Sequence, residues 1–81
     1  MPSGPYDAKG LLTSAIRDPD TVIFFEPKKI YRAIKEEVPT ESYAIPLGKA
    51  NVIKEGKDVT LIAYGAWVKN AKEAIEQIKD V

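Results

Sequence analysis

Apolar positions along this chain change period several times, and each change marks a different element. Ala8, Leu11, Leu12, Ala15 and Ile16 recur at spacings of three and four. Those spacings place them on one stripe, so an amphipathic helix is expected over residues 6–17. Ser3 or Gly4 can cap it, Pro5 suits its first turn, and Asp7 sits well against the positive end of its dipole. Gly10 costs about 1 kcal/mol of helix propensity relative to alanine, which points to close approach of a neighbouring backbone. Asp18-Pro19-Asp20 ends the helix, because a residue before proline avoids the helical region.

Thr21-Val22-Ile23-Phe24-Phe25 follows, with four apolar residues in an unbroken run. A strand wet on one face would alternate. A continuous run predicts a strand covered on both faces, as in the parallel sheets of α/β proteins. Glu26-Pro27-Lys28-Lys29 stops it, and proline has no N–H to donate to a ladder. Residues 50–55 alternate and predict an edge strand. Gly56-Lys57 is a turn signal, and residues 58–64 predict a second buried strand, close enough to the first for a hairpin. Gly65 opens a helix from about Ala66, with Trp67, Val68, Ala71, Ala74, Ile75 and Ile78 as its buried stripe.

Residues 28–46 show no sustained period beyond one helical turn at Ile30–Ile34. Connections longer than about 12–15 residues are usually functional or join domains. This one is read as a linker across a domain boundary. The expected division is residues 1–27 as the end of one domain, 28–46 as the linker and 47–81 as the start of a second. Both ends of the chain read as cut, because each helix calls for more strands than are present.

Composition narrows the chemistry. The 81 residues are 44% hydrophobic and 30% charged, with twelve basic and twelve acidic side chains. A net charge of zero is not that of a nucleic-acid phosphate tracker. No apolar segment is long enough to span a bilayer, and residues 1–5 carry no secretory pattern. With no cysteine and no histidine, disulfides, thiol nucleophiles, Cys/His zinc sites and histidine-based catalytic pairs are excluded within this chain. A domain this small buries only roughly 60–65% of its unfolded surface, so its core is marginal without help.

Several stretches, taken in order, carry a resemblance: Pro5-Tyr6-Asp7-Ala8-Lys9-Gly10-Leu11-Leu12, Ala15-Ile16-Arg17-Asp18-Pro19, Val22-Ile23-Phe24-Phe25-Glu26-Pro27-Lys28, Tyr31-Arg32, Glu37-Val38-Pro39, Ile45-Pro46-Leu47-Gly48 and residues 55–65. Together they resemble the β subunit of the thiamine-diphosphate-dependent 2-oxo acid dehydrogenases, through essentially the whole chain. The form around Phe24–Lys28 with Tyr31-Arg32 leans toward the branched-chain members. The resemblance implies an α/β fold: the end of a pyrimidine-binding domain, a linker and the start of a transketolase C-terminal domain, within a transketolase-like three-layer architecture.

For the whole enzyme the resemblance implies oxidative decarboxylation of pyruvate or branched-chain 2-oxo acids, with acyl transfer to a lipoyl group. Thiamine diphosphate and Mg²⁺ would serve that enzyme, and this segment would bind neither. In the family, the cofactor-activating glutamate lies ahead of the matched region, so Glu26 is not assigned that role. No catalytic, cofactor-binding or metal residue is expected here. The implied partners are the α subunit, a second β subunit and the dihydrolipoyl acyltransferase core, in the cytoplasm or, in a eukaryote, the mitochondrial matrix. No nucleic acid and no membrane is expected.

Glu26, Lys28, Tyr31, Arg32 and Trp67 are the candidate subunit-contact residues. A solvated turn is the alternative for Glu26 and the lysines, and simple surface placement for Tyr31 and Arg32. Trp67, Phe24 and Phe25 read as core or interface anchors rather than ligand contacts, because aromatic side chains mainly bury area. The expected role is scaffold and subunit contact, inactive alone. The alternative is a self-associating α/β module derived from the family, since open sheet edges pair.

Overall fold

The computed structural model describes residues 1–78. Helix α1 spans Pro5–Arg17 and helix α2 spans Trp67–Gln77, with a 3-10 turn at Lys28–Ile30 between them. Both helices fall where the apolar periodicity puts them. Proline begins α1, Asp7 lies in its first turn and Arg17 in its last, each charge matching its end of the dipole. Gly4 is the capping residue and makes no side-chain cap bond. The work is shared instead: Ser3 Oγ donates to Asp7 Oδ2 at 2.8 Å, and the Tyr6 amide donates to Glu36 Oε1 at 2.6 Å. One of the four free amides of the helix start is thus satisfied from thirty residues away. At the other end, Asp18 leaves the helical region (φ −72°, ψ 134°) before Pro19, and its Oδ1 accepts the Asp20 amide at 2.9 Å.

Gly65 turns the chain into α2 at φ +61°, a left-handed conformation natural to glycine. It is buried, and a β-carbon there would run into the Met1 thioether. On the surface of helix α2, Lys69 pairs with Glu73 at 4.0 Å. Its expected buried stripe is only partly covered. Val68, Ala71 and Ile75 are half-buried, whereas Trp67, Ala74 and Ile78 are exposed.

The sheet differs from expectation. Among the described residues there is no β-strand and no isolated bridge, so residues 21–25, 50–55 and 58–64 run as irregular chain. The α/β reading is therefore met in its helices and not in its sheet. The physical reason is that a strand is defined by a neighbour. A run meant to be covered on both faces has nothing here to pair with, and a lone two-stranded hairpin is marginal in water. Every residue from 47 to 62 is exposed, including Val59 and Ile62.

Among the described residues there is consequently no large apolar core. Pro2, Gly10 and Gly65 are the buried residues among those described, and no large hydrophobic side chain joins them. A compact monomer of this mass exposes about 4,900 Å² by surface scaling. This chain exposes 7174 Å².

The most extended set of tertiary contacts among the described residues lies between α1 and the segment 36–45. The Ile45 amide donates to the Gly10 carbonyl at 3.1 Å. A β-carbon on Gly10 would stand 2.5 and 2.6 Å from the Ile45 side chain and 2.9 Å from the Tyr43 ring. The close approach expected at Gly10 is real, and it involves side chains as well as backbone. Gly10→Ala should therefore destabilise despite a helix-propensity gain of about 1 kcal/mol, because overpacking costs about 1–3 kcal/mol. Thermal unfolding followed by circular dichroism checks this. A raised midpoint would mean the neighbouring segment gives way freely.

Candidate subunit-contact surface

Pro27 ends the apolar run, and the chain closes at once into the 3-10 turn. The Ile30 amide donates to the Pro27 carbonyl at 3.3 Å and the Tyr31 amide to the Lys28 carbonyl at 3.2 Å. This tight turn swings Tyr31 back over Glu26, and the phenol donates to Glu26 Oε2 at 2.7 Å. The carboxylate favours the neutral phenol that bonds to it. That hydrogen bond first, then desolvation and the carboxylate charge, raise the Tyr31 pKa above its ordinary value. Lys28 and Arg32 lie on the same turn with exposed side chains.

Between this turn and α1 lies an open groove of about 350 Å³, lined among others by Ala8, Leu12, Phe24, Pro27, Ile30 and Tyr31. Phe24 is half-buried against it, while Phe25 is 60% exposed. Trp67 is 66% exposed at the start of α2. The structure thus joins Glu26 and Tyr31 directly and sets Lys28 and Arg32 beside them, with Trp67 on a separate element. Ile62 and Tyr64, shortly before Trp67 in the chain, are exposed as well.

Sequence reasoning missed a second cluster, on α1. Lys9 Nζ donates to the carbonyls of Pro39 and Glu41 and stands 4.9 Å from the Tyr43 ring centre. Tyr43 stacks on Tyr6 at 4.7 Å with 17° between the rings, and its phenol donates to the Tyr6 carbonyl at 2.7 Å. Desolvation first, then the charges of Tyr6, Glu36 and Asp7, raise the Tyr43 pKa. Length was the available signal, since a nineteen-residue connection without a period needs something to hold it.

The resemblance implies a diphosphate cofactor held with Mg²⁺ in the whole enzyme. A diphosphate-bound divalent cation takes several oxygen ligands in a tight shell. Among the described residues no group of three or more His, Cys, Asp or Glu side chains could hold a metal ion. Glu26 already accepts the Tyr31 hydroxyl on open surface. No helix among the described residues is long and apolar enough to cross a membrane.

Comparison with known proteins gives the class first. Residues 48–81 match the family described as transketolase, C-terminal domain. More particularly, the chain is 56% identical over 78 residues to the pyruvate dehydrogenase E1 component subunit beta of Acholeplasma laidlawii, covering 96% of this chain. It is 56% identical to the subunit of that name from Staphylococcus epidermidis and 54% identical to that from Staphylococcus aureus, each over 98% of this chain. It spans 24% of the length of each of these relatives.

The Tyr31–Glu26 pair has a pH signature. Because the folded pKa of Tyr31 is raised, the neutral phenol is held fully below the ordinary tyrosine value of about 10. The pair's contribution is lost as pH rises through the raised value. Ultraviolet titration of tyrosinate should show Glu26→Gln lowering one phenol toward the ordinary range and Tyr31→Phe removing it. An unchanged titration in Glu26→Gln would mean the pair does not form in solution.

Proposed function

We propose that this chain is a segment of the β subunit of a thiamine-diphosphate-dependent 2-oxo acid dehydrogenase. In that reading it runs from the end of the pyrimidine-binding domain, through the connection at 28–46, into the start of the transketolase C-terminal domain. The observation that carries it is 54–56% identity in one order over 96–98% of the chain. These relatives are subunits of pyruvate dehydrogenases, which favours pyruvate as the 2-oxo acid. The branched-chain alternative rests on the form of the Phe24–Lys28 stretch with Tyr31-Arg32.

The role proposed for these residues is scaffold and subunit contact. Cofactor and metal would be held elsewhere in the enzyme, with acyl transfer to a lipoyl group on an acyltransferase core. What supports this is the donor set, which lacks cysteine and histidine, together with the exposed apolar surface. The α subunit and a second β subunit are the partners that would cover that surface. The turn at Glu26, Lys28, Tyr31 and Arg32, with Trp67, is where they would meet it. Exposed aromatic and arginine side chains are the kinds that dominate interfaces once desolvated. The compartment would be the cytoplasm, or the mitochondrial matrix in a eukaryote.

A second reading is favoured by one observation. The exposed surface far exceeds that of a compact monomer, as a self-associating module would show before assembly. Intact mass in the source cell separates the two. A polypeptide several times the 9.0 kDa of this chain supports the subunit reading, and a 9.0 kDa product that persists as discrete dimers on dilution supports the module.

For the subunit reading, the purified complex should decarboxylate pyruvate faster than branched 2-oxo acids when supplied with thiamine diphosphate and Mg²⁺. Trp67→Ala should reduce assembly by about thirtyfold, the scale of an interface hot spot near 2 kcal/mol. Analytical ultracentrifugation reads this. Full assembly of the variant would remove Trp67 from the interface.

A further inference from the structure

The contacts between α1 and residues 36–45 are not used by the functional reading, and, apart from the return of the Tyr43 side chain to Tyr6, they run in order along both. Glu36 accepts the Tyr6 amide, Lys9 reaches the carbonyls of Pro39 and Glu41, and Ile45 pairs with Gly10. Ser14 Oγ donates to the Ile45 carbonyl at 2.5 Å. Taken from Tyr6 to Ser14, the helix meets the segment from Glu36 to Ile45, so the connecting chain lies along α1 in the same direction.

Lys9 is the chemical centre of this arrangement. An ammonium has three donors and no acceptor. Two carbonyls, two residues apart in the connecting chain, take its donors, and the face of Tyr43 stands within cation–π range. Tyr43 is fixed in turn by its stack on Tyr6 and its bond to the Tyr6 carbonyl. Gly10 supplies the clearance that lets Ile45 approach.

We propose that α1 and residues 36–45 form a latch that sets the position of residues 48–81 against the preceding part of the chain, with Lys9 as its positioning residue. The proposal rests on the reading that 28–46 joins two structural units. A free connection of this length would leave those units to move independently. A latched one delivers the chain to Gly48 from a defined place on α1.

The test uses the full polypeptide as its source cell makes it, assembled with its partners. A protease that cuts after glutamate probes Glu36, Glu37 and Glu41, and hydrogen exchange probes the Ile45 amide. Lys9→Met keeps length and helix propensity but removes the donors. It should speed cleavage in 36–41 and exchange at Ile45 by about tenfold, the scale of losing charge-assisted hydrogen bonds. Gly10→Ala should have the same effect by steric displacement, although alanine favours the helix. Amides of α2 should keep their exchange rates, and Lys69→Met on the separate surface pair should change nothing in 36–45.

Wild-type cleavage in both Lys9→Met and Gly10→Ala overturns the latch. Uniform acceleration across α2 and Ile45 also overturns it, because Lys9 would then support the whole fold rather than the connection. The readout needs no 2-oxo acid and no cofactor. A protected connection in an inactive protein therefore counts against the functional reading alone, and an unprotected one in an active enzyme counts against the latch alone.

Discussion

The hydrogen bond from the Ile45 amide to the Gly10 carbonyl is the constraint around which the contacts of α1 with residues 36–45 are arranged. It brings the Ile45 side chain and the Tyr43 ring down onto Gly10, where a β-carbon would stand within 3 Å of both. Once Ile45 is seated there, Tyr43 lies over Tyr6 and the Lys9 ammonium finds the carbonyls of Pro39 and Glu41. Glu36 then reaches the helix start, where a carboxylate meets a free amide and the positive end of the dipole together. A small volume at one position thus organises polar contacts spread over the length of α1.

That arrangement changes how the connecting chain is understood. Its length and lack of period mark it as a joint, yet its residues are tied by side-chain bonds to a helix thirty or more positions earlier. The turn at 26–32 belongs to the same neighbourhood, since the groove beside it is walled by α1 on one side and by Phe24, Ile30 and Tyr31 on the other. The surface proposed for subunit contact and the seat of the connection therefore share one helix.

How much of this was legible in the sequence follows from the range of each interaction. Helices α1 and α2 were legible because their signals are local: Pro5 and Asp7 at one start, Gly65 at the other, apolar residues three and four apart. The need for clearance at Gly10 was legible too, because a glycine inside a strong helical pattern asks for a reason. The partners of Gly10 were not, since nothing periodic links Tyr43 or Ile45 to α1. The runs at 21–25 and 58–64 read as buried strands because their composition is that of buried strands. Their burial depends on neighbours that the described residues do not supply. Glu26 and Tyr31, five residues apart, are joined by a turn that the sequence only hinted at.

The lack of large buried side chains has a calorimetric meaning. Heat-capacity change on unfolding tracks the apolar area newly exposed to water. Val59, Ile62 and Ile23 are already hydrated here, so little further apolar area remains to be uncovered. Melting of these residues by themselves would be broad and weakly curved with temperature. A sharp transition would arise only when other protein surface covers those side chains. Cooperativity would then belong to a covered state rather than to these residues by themselves.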